Sequence, residues 1–136
     1  MNRITLLPGD GIGPEIVDSA VKVLEAAGQR FGVPFEFTSQ DFGGVSLDKF
    51  GEPLTEKVLQ ECYNSDAVFL GAVGGPNWEN LEHHKKPEAG LLKLRKALGL
   101  FANLRPAKVY KSMLHSSSLK DSVLDGTDIL ILRELT

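Results

Sequence analysis

The feature that most constrains this chain is a regular exchange between two hydrophobic periods. Short unbroken apolar runs alternate with stretches whose apolar residues recur every three or four positions, and glycine or proline stands at most of the changes. Residues 3–7 (RITLL), 66–73 (DAVFLGAV), 100–105 (LFANLR, closed by Pro106) and 128–132 (DILIL) read as strands, the first and fourth as buried and the second as fully buried. Residues 35–38 alternate as a half-exposed strand does. Between the strands, Ile16, Val17, Ala20, Val21, Leu24 and Ala27 form one helix face that ends near Gly28 or Gly32. Pro14 suits the first turn of that helix, where a missing N–H is no loss. Thr55 is placed to cap a short helix that turns Val58, Leu59 and Cys62 inward. Leu91, Leu94 and Leu98 mark another helix in residues 89–98. Ser118 and Asp121 suggest the start of a short one over 119–124, ended by Gly126. The segment holding Gly43-Gly44 and Gly51-Glu52-Pro53 reads as a loop, and so does the long polar stretch 74–87.

Strand and helix in this order predict an α/β fold with a mostly parallel sheet and crossover helices. Such sheets bind ligands beyond the carboxyl ends of their strands. The two glycine-rich turns, GDGIGP and GAVGGPNW, fall there. Charge narrows the partners: 15 Lys and Arg against 18 Asp and Glu give −3, without the basic clustering that broad nucleic-acid binding needs. One cysteine cannot make an internal disulfide. No apolar run approaches the roughly 20 residues of a membrane helix, and the apolar stretch in MNRITLLPGDG is short for a signal peptide. A soluble cytoplasmic protein with no nucleic-acid or membrane partner is expected.

Several residues are candidates for chemistry. The spacing G-x-G-x-G-P of Gly9, Gly11 and Gly13 is neither the dinucleotide fingerprint nor a Walker loop. Asp10 would put a negative charge where a pyrophosphate would sit. A tight turn needing positive φ is the competing reading. Arg95, on a helix, and Arg105 and Arg133, each ending an apolar strand, would suit a small dicarboxylate if parallel strands brought them to one sheet edge, since each guanidinium fork can hold a carboxylate. Otherwise they are three unrelated arginines in surface ion pairs. Glu88, Leu91, Leu92 and Arg95 share one helix face, which makes either a core face or an apolar pocket beside a carboxylate clamp. His83, His84, Lys85 and Lys86 lack metal-ligand spacing and read as a solvated loop. Trp78 is either a loop anchor or a pocket wall. Cys62 has no partner for nucleophilic catalysis.

Taken together, LLPGDGIGPE, DAVFLGAVGGPNW, KPEAGLLKLRKALGLFANLRPAKVY and DILILRELT closely resemble the 3-isopropylmalate dehydrogenases of the isocitrate/isopropylmalate dehydrogenase family, from Ile4 to Thr136 and in the same order. The stretch PEAGLLKLR separates them from isocitrate-type members, which carry a polar, serine-containing stretch there. The resemblance implies an NAD-dependent oxidative decarboxylase of leucine biosynthesis. It implies that Arg95, Arg105 and Arg133 hold the malate carboxylates, that Leu91 and Leu92 contact the isopropyl group, and that Glu88 lies by substrate and nicotinamide. It assigns Gly75, Pro76, Asn77, Trp78, Pro87 and Glu88 to the NAD site, with Ile12 of the first turn nearby.

The fold implied is not an ordinary Rossmann domain but two α/β domains with the active site between them, in a homodimer. Residues 1–99 would be the first part of the first domain, and 100–136 the beginning of the second, inserted one. Family chains are much longer. The catalytic tyrosine and lysine and the aspartates for Mg²⁺ or Mn²⁺ are expected beyond residue 136, so no catalytic or metal residue is expected within it, and the 136 residues alone are expected to be inactive. They are also expected to be marginally stable or self-associating. Competing readings are a dehydrogenase for another 2-hydroxy acid (tartrate, homoisocitrate), or a non-catalytic fragment or interaction module.

Overall fold

In the computed structural model, strand β1 (Asn2–Gly9) is the middle of a three-stranded parallel sheet, with β2 (Phe35–Ser39) on one side and β3 (Ala67–Ala72) on the other. The structure describes residues 1–135. Thr136, the end of the DILILRELT motif, lies outside the described residues. Because side chains alternate along a strand, β1 feeds two cores. Ile4 and Leu6 pack with Val17, Val21 and Leu24 of helix α1 (Gly13–Phe31). Leu7, on the opposite face, joins Phe42, Leu54, Leu94 and the inner residues Val58, Leu59 and Cys62 of α3 (Glu56–Tyr63). A strand covered on both faces buries residues on both sides, as Ile4, Thr5, Leu6 and Leu7 do in succession.

The local signals behave as their chemistry requires. Pro14 sits in the first turn of α1, and Gly32, in the left-handed conformation (φ 67°), closes the helix with its N–H on the Gly28 carbonyl. The Thr55 hydroxyl accepts the Val58 N–H at 3.3 Å, the expected cap. α4 (Pro87–Ala97) turns Pro87, Gly90 and Leu94 inward. Burial pushes the Cys62 thiol above its ordinary pKa, with Glu61 adding to the shift.

Two expectations for this part need correction. The segment read as a loop after Gly43 contains a seven-residue helix, α2 (Gly44–Phe50). Its N-terminal amides are satisfied by a carboxylate far away in sequence, described below. β3 is half-buried rather than fully buried, because it is an edge strand of the described sheet.

The chain divides into two compact units, the first ending at Leu98 and the second beginning at Gly99. In the second, β4 (Ala102–Lys108) and β5 (Asp128–Glu134) pair antiparallel as a two-stranded ribbon. This corrects the parallel expectation for the last two strands. Their connection holds only a 3-10 turn at Lys111–Ser116 and the four-residue helix α5 (Asp121–Leu124), not a crossover helix. Pro106 lies within β4 rather than closing it, which a strand with a free edge tolerates. Lys120, not Ser118, stands at the start of α5. β5 is exposed along its whole length, against the expectation of burial, since nothing described in its unit covers a ribbon face. No helix of the described residues is long and apolar enough to cross a membrane.

Candidate functional site

At the carboxyl end of β1, Gly9 adopts φ 71° and Gly11 φ 56°. A side chain on Gly9 would overlap the Ala72 carbonyl at the end of β3. The glycines of GDGIGP therefore serve a tight turn and a close backbone approach. Asp10, 2% exposed, is their centre. Its Oδ2 accepts the N–H of Gly44 and of Gly74, both at 2.8 Å, and its Oδ1 accepts the N–H of Val45 at 2.9 Å. The charge that argued against a pyrophosphate is committed to main-chain donors, caps α2, and ties together the loops leaving β1 and β3. Sequence reasoning missed this role, because its partners lie 34 and 64 residues away. Ile12 stands exposed at the start of α1.

The stretch after β3 is held at both ends. Gly74 has φ 94°, and the Glu88 carboxylate occupies the space a side chain there would need. Farther along, the Trp78 ring lies over Gly44, and its Nε1 donates to Asp48 Oδ1 at 3.0 Å. Gly75, Trp78, Glu79, Lys86 and Glu88 line a hollow of about 100 Å³. Of the residues expected at a cofactor, Gly75, Trp78 and Glu88 thus meet. Pro76 and Asn77 are exposed on the adjoining 3-10 turn, and Pro87, the first residue of α4, is buried. Ile12 does not line this hollow. His84 and Lys85 pair with Glu82 at 3.4 and 3.0 Å in a solvent-facing turn. Among the described residues no group of His, Cys, Asp and Glu could hold a metal ion.

On α4 the expected site residues separate. Glu88, Leu92 and Arg95 follow one outer stripe at helical spacing, with Leu92 56% exposed. Leu91 instead packs against the core cluster. Neither the Glu88 nor the Arg95 side chain enters a hydrogen bond or ion pair found among the described residues.

In the second unit, Asn103 is opposite Arg133 and Arg105 opposite Ile131. Residues two apart on a strand share a face, so Asn103, Arg105 and Arg133 stand on one side of the ribbon. Antiparallel register, not a common strand edge, puts Arg105 and Arg133 on one face, at diagonal positions. Arg105 lies inside its strand rather than at its end. Its Nε donates to Asn103 Oδ1 at 3.2 Å, which leaves the terminal nitrogens uncommitted. Asn103 was missed, although its two-residue spacing from Arg105 was a visible signal. None of the ion pairs found among the described residues involves Arg95, Arg105 or Arg133.

The family described as isocitrate/isopropylmalate dehydrogenase matches residues 3–136. The 3-isopropylmalate dehydrogenase of Aquifex aeolicus is 54% identical over 134 residues, which are 98% of this chain and 37% of the relative. That of Chlorobium chlorochromatii is 57% identical over 134 residues, 98% of this chain and 38% of the relative. Among solved structures, an isocitrate dehydrogenase from Methylococcus capsulatus is similar with a TM-score of 0.77 at 34% identity, covering 98% of this chain and 34% of the other. A beta-decarboxylating dehydrogenase from Thermococcus kodakarensis gives 0.73 at 35%, covering 100% and 34%. The chain spans little more than a third of the length of these relatives.

Proposed function

The chain belongs to the isocitrate/isopropylmalate dehydrogenase family, and from that premise we propose that it is the amino-terminal segment of a 3-isopropylmalate dehydrogenase of leucine biosynthesis, cytoplasmic and homodimeric. On this reading the first unit is the opening part of one α/β domain and the second begins another. The observation that carries the proposal is that Asn103, Arg105 and Arg133 stand on one face of the ribbon, with Arg105 Nε held by Asn103 Oδ1.

Arg105 and Arg133, on one face of the ribbon, and Arg95 on α4 would bind the substrate's carboxylates through charge-assisted hydrogen bonds. Leu92 would line the isopropyl group, with Leu91 supporting it from the core side. Glu88 would face the reacting end beside the hollow at Gly75 and Trp78, and the turn from Gly75 to Trp78, with Ile12 and the main chain of Pro87, would serve NAD. NAD, when bound, supplies the acceptor for the hydride leaving the secondary alcohol. On this reading no Mg²⁺ or Mn²⁺ ligand and no catalytic base is assigned to these segments, which bind and orient rather than move the proton. Dehydrogenases for tartrate or homoisocitrate remain the second reading, and the leucine pair of PEAGLLKLR favours the branched substrate over them.

In the full-length enzyme, Arg105→Lys keeps the charge and loses the planar fork. Each lost charge-assisted bond costs about 1.5–3 kcal/mol. KM for isopropylmalate should rise at least tenfold while KM for NAD stays unchanged. Wild-type constants would remove Arg105 from the site.

A further inference from the structure

Trp78 is the side chain by which the turn after Gly75 is attached to the rest of the first unit, and its seat is unusual in having no side chain beneath it. A methyl group on Gly44 would overlap the indole ring at three of its carbons. Gly44 has no positive φ, so its backbone does not call for glycine. What excludes a side chain there is the ring itself. Asp48, one turn farther along α2, accepts the indole N–H at 3.0 Å. The floor of the seat is fixed in turn, since Asp10 Oδ2 holds both the Gly44 amide and the Gly74 amide at the root of the same loop. Root and seat are thereby parts of one hydrogen-bonded piece.

We propose that Gly44 and Asp48 form a socket that holds Trp78 and so sets the position of the dinucleotide-binding turn, making both of them positioning residues for NAD. This rests on the assignment of that turn to the cofactor. The socket acts by preorganisation: it fixes the hollow at Gly75, Trp78 and Glu88 before the nucleotide arrives, so that binding does not have to order the turn. No hydrogen bond or ion pair joins it to Arg95, so its influence falls on the dinucleotide and not on the hydroxy acid.

The test uses Gly44→Ala in the full-length enzyme, where alanine suits the backbone and acts only as a wedge under the ring. Asp48→Ala, at an exposed position, removes only the acceptor. Hydrogen exchange of a peptide over residues 75–86 reads the turn, and a peptide over residues 2–9 reports that the sheet is intact. The expected result for Gly44→Ala is faster exchange in the turn alone, KM for NAD raised about tenfold or more, and KM for isopropylmalate unchanged. Asp48→Ala should give the same pattern at a smaller size. Unchanged exchange in the turn in both variants would overturn the socket. Faster exchange with an unchanged KM for NAD would overturn its role in positioning. If the wild-type enzyme reduces no NAD with any 2-hydroxy acid, the functional assignment fails instead, and with it the proposed role toward NAD, while the exchange data still decide whether the socket holds the turn.

Discussion

The two units of the chain are built from equally apolar strand sequences and differ in what covers them. In the first, Leu7 is 0% exposed, because β1 has neighbours on both edges and helices on both faces. In the second, Ile129, Leu130, Ile131 and Leu132 are each more than half exposed, because a two-stranded ribbon within its own unit has neither. An apolar run therefore specifies a strand, while burial is conferred by the elements packed on it. The same contrast separates the functional residues. Asp10 is locked by three main-chain donors, whereas Arg105 commits only its Nε, to Asn103.

The contrast breaks most sharply at Asp10. Asp10→Ala in the 136-residue chain leaves three amides without their acceptor, where each bond to a charged group is worth about 1.5–3 kcal/mol. The first unit should lose more than about 4 kcal/mol, seen as an earlier urea transition of the fluorescence of Trp78, the single tryptophan. Next comes a matched pair of truncations. Leu7→Ala should cost about 3 kcal/mol through the cavity it leaves. Leu132→Ala, at 65% exposure, should cost under about 0.5 kcal/mol. Equal losses in denaturant titrations would mean that the ribbon is covered in solution.

Leu91 and Leu92 sharpen the comparison within one helix. Leu92→Ser should leave thermal stability nearly unchanged but lower the kcat/KM ratio of isopropylmalate over malate about tenfold in the full-length enzyme. Leu91→Ser should lower the melting temperature, because Leu91 packs on the core. The smallest effect belongs to Cys62. Its raised pKa means that the folded state keeps the thiol proton longer than the unfolded state does. The associated stability is complete below the unfolded thiol's pKa and falls as pH rises toward the folded one. Stability curves against pH should show an alkaline decline that is weaker in Cys62→Ala.

What was legible in the sequence was local. The helix face from Ile16 to Ala27, the glycine stop at Gly32, and the Thr55 cap each depend on neighbours within a few residues. The glycines of GDGIGP were readable as a tight turn. What was hidden depended on partners distant along the chain. Helix α2 needs Asp10 to satisfy its first amides, and no residue next to Gly43 announces that. The antiparallel ribbon depends on how β4 meets β5, which neither strand's composition encodes, and so the pairing of Asn103 with Arg133 was out of reach. Leu91 and Leu92 share one sequence signal but not one environment, because adjacent helix positions point 100° apart.

The most direct measurement is the rate of NADH formation by the full-length enzyme with NAD, Mg²⁺ or Mn²⁺, and each of 3-isopropylmalate, isocitrate, homoisocitrate, tartrate and malate. The account predicts the highest kcat/KM for 3-isopropylmalate, with carbon dioxide released in step with NADH. A higher kcat/KM for isocitrate, homoisocitrate or tartrate, or no NADH with isopropylmalate from folded enzyme, would contradict it.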